Sequence, residues 1–261
     1  MAIRKRGLET RIEGPTPTED GMILYLKAGE DGISVGDCPF GQNIRMVLEE
    51  KNIPYQVKPC TQDTKPNWLV DYYDGQLPAL RHKKECYIES NIIVSYLDYF
   101  FPSTKTETIE NKKESKSNLE DAEENALVGF FPSIARYLKD DETNENNDET
   151  LEVLKENLDN LENHFKDLCD DDQNKWCYLD GSQTNFSNID CRIVPQLYHL
   201  SVASKEFKEN GQPNLEEDYP FIYKYLQQSM TRDSFINTKY AEETIIWGWN
   251  NARQQQQVQQ E

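Results

Sequence analysis

The sequence predicts an α/β unit followed by an all-helical half. Up to about residue 102, apolar runs of strand length alternate with amphipathic helical stretches. A polar stretch follows, and beyond it the apolar spacing is helical throughout.

In order, Met22 to Ala28 is a short apolar run ahead of Gly29, Gly32 and Gly36, which reads as a buried strand and a loop. Phe40, Ile44, Val47 and Leu48 then share one helix face, with Gln42, Arg45, Glu49 and Lys51 on the other, and Asn52 and Pro54 stop it. Tyr55 to Thr61 reads as a second strand. A helix opening at Lys65-Pro66 carries Trp68, Leu69 and Tyr72 to Gly75-Gln76. Leu77 to Leu80 and Cys86 to Glu89, joined by the turn His82-Lys83-Lys84-Glu85, suggest a hairpin, after which Ser90 caps a helix through Ile93, Tyr96, Leu97 and Phe100. The order is β-α-β-α-β-β-α over residues 22–102.

Residues 103–117 read as a linker and 118–251 as an all-helical domain, with helices at Leu127 to Leu138, Leu151 to Leu168, Ile189 to Phe207, Tyr219 to Met230 and Tyr240 to Trp249. Asp140 to Glu149 is too polar to pack and reads as a solvated loop. Ser187-Asn188-Ile189-Asp190 has the form of a helix N-cap with an acid in the first turn. Residues 1–21 read as a disordered lead-in and 252–261 as a frayed Gln-rich tail.

The chain has 261 residues, with 47 acidic against 28 basic side chains and a formal charge of −19. Such a balance repels phosphate backbones and anionic lipid surfaces, so neither nucleic acid nor membrane is an expected partner. Cysteines at 38, 60, 86, 169, 177 and 191 lack metal-ligand spacing and are too sparse for a disulfide scaffold, which implies a reducing compartment and no metal. No apolar run reaches the ~18–20 residues needed to span a bilayer. The expected compartment is the cytoplasm, or a plastid or another organelle if the first residues are a trimmed leader.

Asp37-Cys38-Pro39-Phe40 carries the chemistry. A thiol reacts as its thiolate, and a helix N-terminus favours negative charge, so Cys38 ahead of Pro39 at the first helical position reads as an activated nucleophile. Position 41 is Gly, so no C-x-x-C dithiol can cycle at this site, and the resolving thiol must come from elsewhere, glutathione being the obvious donor.

Lys27-Ala28, Gly36 to Phe40, Glu49-Glu50-Lys51, Lys65 to Trp68, Leu77-Pro78, Gln196 to Leu200 and Asp233 to Lys239 together resemble the glutathione-dependent dehydroascorbate reductases of the glutathione transferase superfamily. The resemblance runs from about Met22 to Trp249. It implies a thioredoxin-like N-terminal domain and an all-α C-terminal domain, the glutathione transferase fold, acting as a monomer. It further implies that Cys38 reduces dehydroascorbate through a sulfenate and a mixed disulfide with glutathione as co-substrate. Carried over by position, Lys27, Asp37, Lys65, Leu77, Pro78, Glu89 and Ser90 would hold glutathione. Lys27, Asp37, Phe40, His199 and Trp249 would face the ascorbate side, Trp249 competing with Trp247 for that place. The chain departs from the pattern where Gly41 replaces a Ser and Glu89 an Asp.

Gly-Gln-Leu-Pro and Cys-Pro-Phe also resemble the chloride intracellular channel proteins. Insertion of residues 38–58 would carry Arg45, Glu49, Glu50 and Lys51 into a bilayer at ~2.5–3.5 kcal/mol for each central charge, which ranks that reading second. The same fold also suits a cysteine-type glutathione transferase or thioltransferase, or a non-enzymatic binding module, since a fold does not by itself fix an activity.

Overall fold

The structure is a computed structural model, and it describes residues 21–102, 109–140 and 147–260. The first half is β1 (Met22–Lys27), α1 (Pro39–Glu50), β2 (Tyr55–Cys60), α2 (Asn67–Tyr73), β3 (Ala79–His82), β4 (Glu85–Ile88) and α3 (Ser90–Phe100). The helical half comprises α4 (Ile109–Asp121) with a π turn at Ala122–Ala126, α5 (Phe130–Lys139), α6 (Asn147–Leu168), α7 (Asn188–Phe207), α8 (Leu215–Asp218), α9 (Pro220–Met230), α10 (Asp233–Ile236) and α11 (Glu242–Gln260).

The strands order as β2-β1-β3-β4, with β2 parallel to β1 and the other pairs antiparallel. Because both faces are covered, β1 is apolar at nearly every position instead of alternating. Ile23 and Tyr25 pack under α2 with Trp68, Leu69 and Tyr73. Met22, Leu24 and Leu26 join Ile44, Val47 and Leu48 of α1 in a core that continues into the helical half through Leu197 and Leu200. Ile44, Val47 and Leu48 are fully buried, each contributing about 1.5–3 kcal/mol.

A bidentate pair also joins the halves. Arg232, ahead of α10, donates through Nε and Nη2 to Glu50 of α1 at 2.8 and 2.7 Å, and its guanidinium lies 4.5 Å from the Phe186 ring. The Ser187 cap is a complete capping box. Asp190 accepts from the Ser187 N–H at 2.7 Å and also from Leu179 N–H and the Tyr225 hydroxyl, so the box anchors α7 to its neighbours as well as starting it.

Several expectations change. Ser90 is the first residue of α3, not its cap; Glu89 takes the capping position at φ 68°. Within the expected linker 103–117, a helix begins at Ile109: its sequence is almost entirely polar and gives no apolar period, and it is held instead by Ser115 and Asn118 donating to Asp180. In the expected loop 140–149, Asn147 to Glu149 form the first turn of α6. The Gln-rich stretch from 252 continues α11 to Gln260, since Gln is a fair helix former and Arg253 donates to the Leu138 and Asp140 carbonyls. The lead-in up to residue 20 lies outside the described residues. Among those residues, no helix is long and apolar enough to cross a membrane.

Candidate active site

The register places one end of the sheet on view. Lys27 closes β1 opposite Cys60 at the end of β2, while Tyr25 pairs with Ala79 at the start of β3, and Ala79 with Ile88 at the end of β4. The loop from β1, the Leu77-Pro78 approach to β3 and the Glu89-Ser90 junction therefore gather at the same end. The Leu77–Pro78 peptide bond is cis.

The loop returns at Gly36, whose N–H donates to the Lys27 carbonyl at 2.7 Å; a Cβ there would lie 2.5 Å from the Ala28 oxygen, a contact only glycine tolerates. Cys38 then stands as the N-cap of α1, half-buried, with Pro39 behind it. Lys27 pairs with Asp37 at 2.6 Å and lies over the Trp247 ring at 5.2 Å, so α11 reaches the site from the far end of the chain. Tyr240 donates to the Cys38 carbonyl at 3.1 Å, and Phe40 meets Phe131 of α5 edge to face.

The thiol differs from expectation. Its helix-cap position led us to expect acidification, and the N–H groups of Gly41 and Phe40 and the charge of Lys27 do pull its pKa down. Burial outweighs them and pushes it above the ordinary thiol range, with the negative charge of Asp37 adding to the rise.

His199 is buried, and burial with the nearby Lys27 charge holds its pKa down to about 3. The Trp249 indole N–H donates to His199 Nδ1 at 3.3 Å, so the neutral ring carries its proton on Nε2, which is buried and without a partner among the described residues. Trp249 thus spends its donor on the imidazole.

Lys27, Asp37, Cys38, His199 and Trp249 form one cluster. Lys65 stands apart from it, donating to Gln62 at 2.7 Å with its stem against Gly75. Leu77 packs beside the core under α2. Glu89 and Ser90 sit at the strand-to-helix junction, Glu89 at a positive φ that costs a non-glycine residue roughly 1–3 kcal/mol. Sequence reasoning missed Tyr240 and Gly248; the first lies directly after the Asp233 to Lys239 run, which was the available signal. A Cβ on Gly248 would meet the Asp37 carboxylate at 1.8 Å.

A cavity of about 650 Å³ lies at the other end of α1, lined by Lys51, Asp98, Glu123 and Arg192, whose charges pair with one another. It contains none of these site residues. Among the described residues no cluster of three or more His, Cys, Asp or Glu is placed to hold a metal.

A four-stranded β2-β1-β3-β4 sheet, a helical second half and a cysteine at the N-terminus of α1 define a protein with the glutathione transferase fold. Residues 33–105 match the family model of the glutathione S-transferase N-terminal domain. Over 220 residues the chain is 32% identical to "Probable glutathione S-transferase DHAR1, cytosolic" of Oryza sativa subsp. japonica, covering 83% of this chain and 90% of the relative. It is 27% identical over 216 residues to "Glutathione S-transferase DHAR3, chloroplastic" of Arabidopsis thaliana, covering 82% of this chain and 74% of that one. The chain belongs to the glutathione S-transferase superfamily, and within it is DHAR-like. The crystal structure of Chlamydomonas reinhardtii dehydroascorbate reductase superposes with a TM-score of 0.66 at 21% identity, over 90% of this chain and 100% of the other, a likeness of fold.

Proposed function

We propose that this protein reduces dehydroascorbate to ascorbate at the expense of two glutathiones. The observation that carries this reading is the meeting, at one sheet end, of a lone helix-cap thiol with a paired lysine and a buried neutral imidazole whose N–H is unused among the described residues.

The Cys38 thiolate attacks hydrated dehydroascorbate, ascorbate leaves with the electron pair, and sulfur keeps one oxygen as a sulfenic acid. One glutathione condenses with it, releasing water, and a second displaces the mixed disulfide as glutathione disulfide. Thiolate formation is favoured by Phe40 and Gly41 N–H and by Lys27, against burial and Asp37. Lys65 pairs with a carboxylate of the tripeptide, the Leu77 backbone ahead of Pro78 receives its cysteinyl part, the N-terminus of α3 at Ser90 takes its γ-glutamyl carboxylate, and Glu89 takes its amino group. On the other side Lys27, Asp37 and Phe40 face the sugar-like ring, and the buried His199–Trp249 pair stands behind them.

The test is a coupled assay of the purified protein with glutathione and dehydroascorbate, repeated on Cys38→Ser. The intact protein turns over and the variant falls to background. No turnover in the first, or undiminished turnover in the second, refutes the reading.

A further inference from the structure

Two buried thiols outside the candidate site have no part in this chemistry. Cys169 directly follows α6 and Cys177 lies eight residues on, both at most 4% exposed, with their Sγ atoms 3.5 Å apart. The intervening chain is already folded back on itself. Asp170 and Asp171 take left-handed backbone at φ 55° and 54°, the Asp171 N–H donates to the Lys166 carbonyl at 2.8 Å, and Asp172 accepts from the Asn174 N–H at 2.9 Å. Lys175 pairs with Asp170 across the outside of the loop at 2.9 Å.

We infer that Cys169 and Cys177 are a redox modification site, closing to a reversible intrachain disulfide when the protein meets a hydroperoxide. Bonded sulfurs stand ~2.05 Å apart, so closure asks the two side chains to rotate together by about 1.5 Å in a loop whose backbone already brings them into contact. One sulfur attacks a peroxide oxygen and keeps it as a sulfenic acid; the O–O bond breaks and the other oxygen leaves as water or an alcohol, taking the thiol proton. The second thiol condenses with that acid and releases a water. The pair loses two electrons and two protons, and the peroxide accepts both.

Both sulfurs are buried, which shuts out large disulfides and leaves a small oxidant as the fitting partner; burial, and then the neighbouring Cys169 sulfur, also raise the Cys177 thiol, so the oxidation is slow. The link has a structural consequence as well. Cys177 is followed by Tyr178, whose hydroxyl accepts from Arg232 at 3.2 Å, and Arg232 grips Glu50 of α1. Oxidation would therefore tie the end of α6 to the segment supporting the contact between the halves.

The test treats reduced full-length protein, and Cys38→Ser in parallel, with hydrogen peroxide, then denatures it in N-ethylmaleimide. Trypsin cuts after Lys166, Lys175 and Arg192, which puts the two cysteines on different peptides. The expected result is a loss of two maleimide-reactive thiols in Cys38→Ser and, in both proteins, a Cys169-to-Cys177 cross-linked peptide pair that dithiothreitol separates, with Cys191, which shares the Cys177 peptide, fully alkylated. Recovery of Cys169 and Cys177 as alkylated thiols, or linkage of Cys169 to Cys191, would overturn the inference. The peptide mapping reads the unsubstituted pair directly, so it needs no substitution at either buried cysteine.

Discussion

Replacing Gly248 with Ala tests whether α11 is a working wall of the site. The added methyl would stand 1.8 Å from Asp37 Oδ2, 2.1 Å from its Cγ and 2.6 Å from its Cβ, so no rotation of the carboxylate alone relieves all three contacts. Ordinary contact begins near 3.4 Å, and 3.4 less 1.8 leaves a displacement of 1.6 Å for the oxygen that follows. In an unhindered helix, Gly to Ala gains about 1 kcal/mol, whereas overpacking costs about 1–3 kcal/mol. The net expectation is a loss of up to about 2 kcal/mol, measured as a lower midpoint in urea. Turnover with glutathione and dehydroascorbate should fall further than stability implies, by up to ~10²-fold, because Asp37 carries Lys27 and adjoins Cys38. Asp37→Gly in the same chain removes the clash and should recover the stability without the activity. A Gly248→Ala protein more stable than wild type, with turnover within about two-fold of it, would refute the reasoning, since a free helix glycine behaves in that way.

Burial holds the Cys38 thiol high and the neighbouring charges adjust it: Asp37→Asn should lower the pH at which Cys38 alkylation rises, and Lys27→Met should raise it, read from alkylation rate against pH. Arg232→Ala removes the bidentate cation from Glu50 at the contact between the halves while the Ser234 hydroxyl still donates to it, and equilibrium unfolding should show a loss of about 1.5–3 kcal/mol. Asp190→Ala leaves the Leu179 and Ser187 N–H groups and the Tyr225 hydroxyl without their acceptor, a loss of about 3–5 kcal/mol by the same measurement. His199 is neutral in both folded and unfolded chains at neutral pH. Below about 6.5 only the unfolded chain takes up a proton until the native value of about 3 is reached, so stability falls with pH across that window and should fall less steeply in His199→Leu.

The layered order of the first half was legible because strands and helices advertise their periods locally: Met22 to Leu26, Ile44 to Leu48 and Ile93 to Leu97 each announce an element. Cys38 at a helix start was equally local, resting on Pro39 at the first helical position, and the Ser187-to-Asp190 cap lies within four residues. α4 and the end of α11 escaped notice because their residues satisfy the helix backbone without an apolar stripe, and what holds them is Asp180 and the Leu138 and Asp140 carbonyls far along the chain. The same distance governed the site. Tyr240 meets Cys38 across 202 positions, Gly248 admits Asp37, and Trp249 fixes the proton of His199. Sequence alone could therefore name the thiol and its helix. Whether that thiol is acidified or held protonated was decided by the tertiary structure, because desolvation and neighbouring charge depend on which distant segments close over the sulfur.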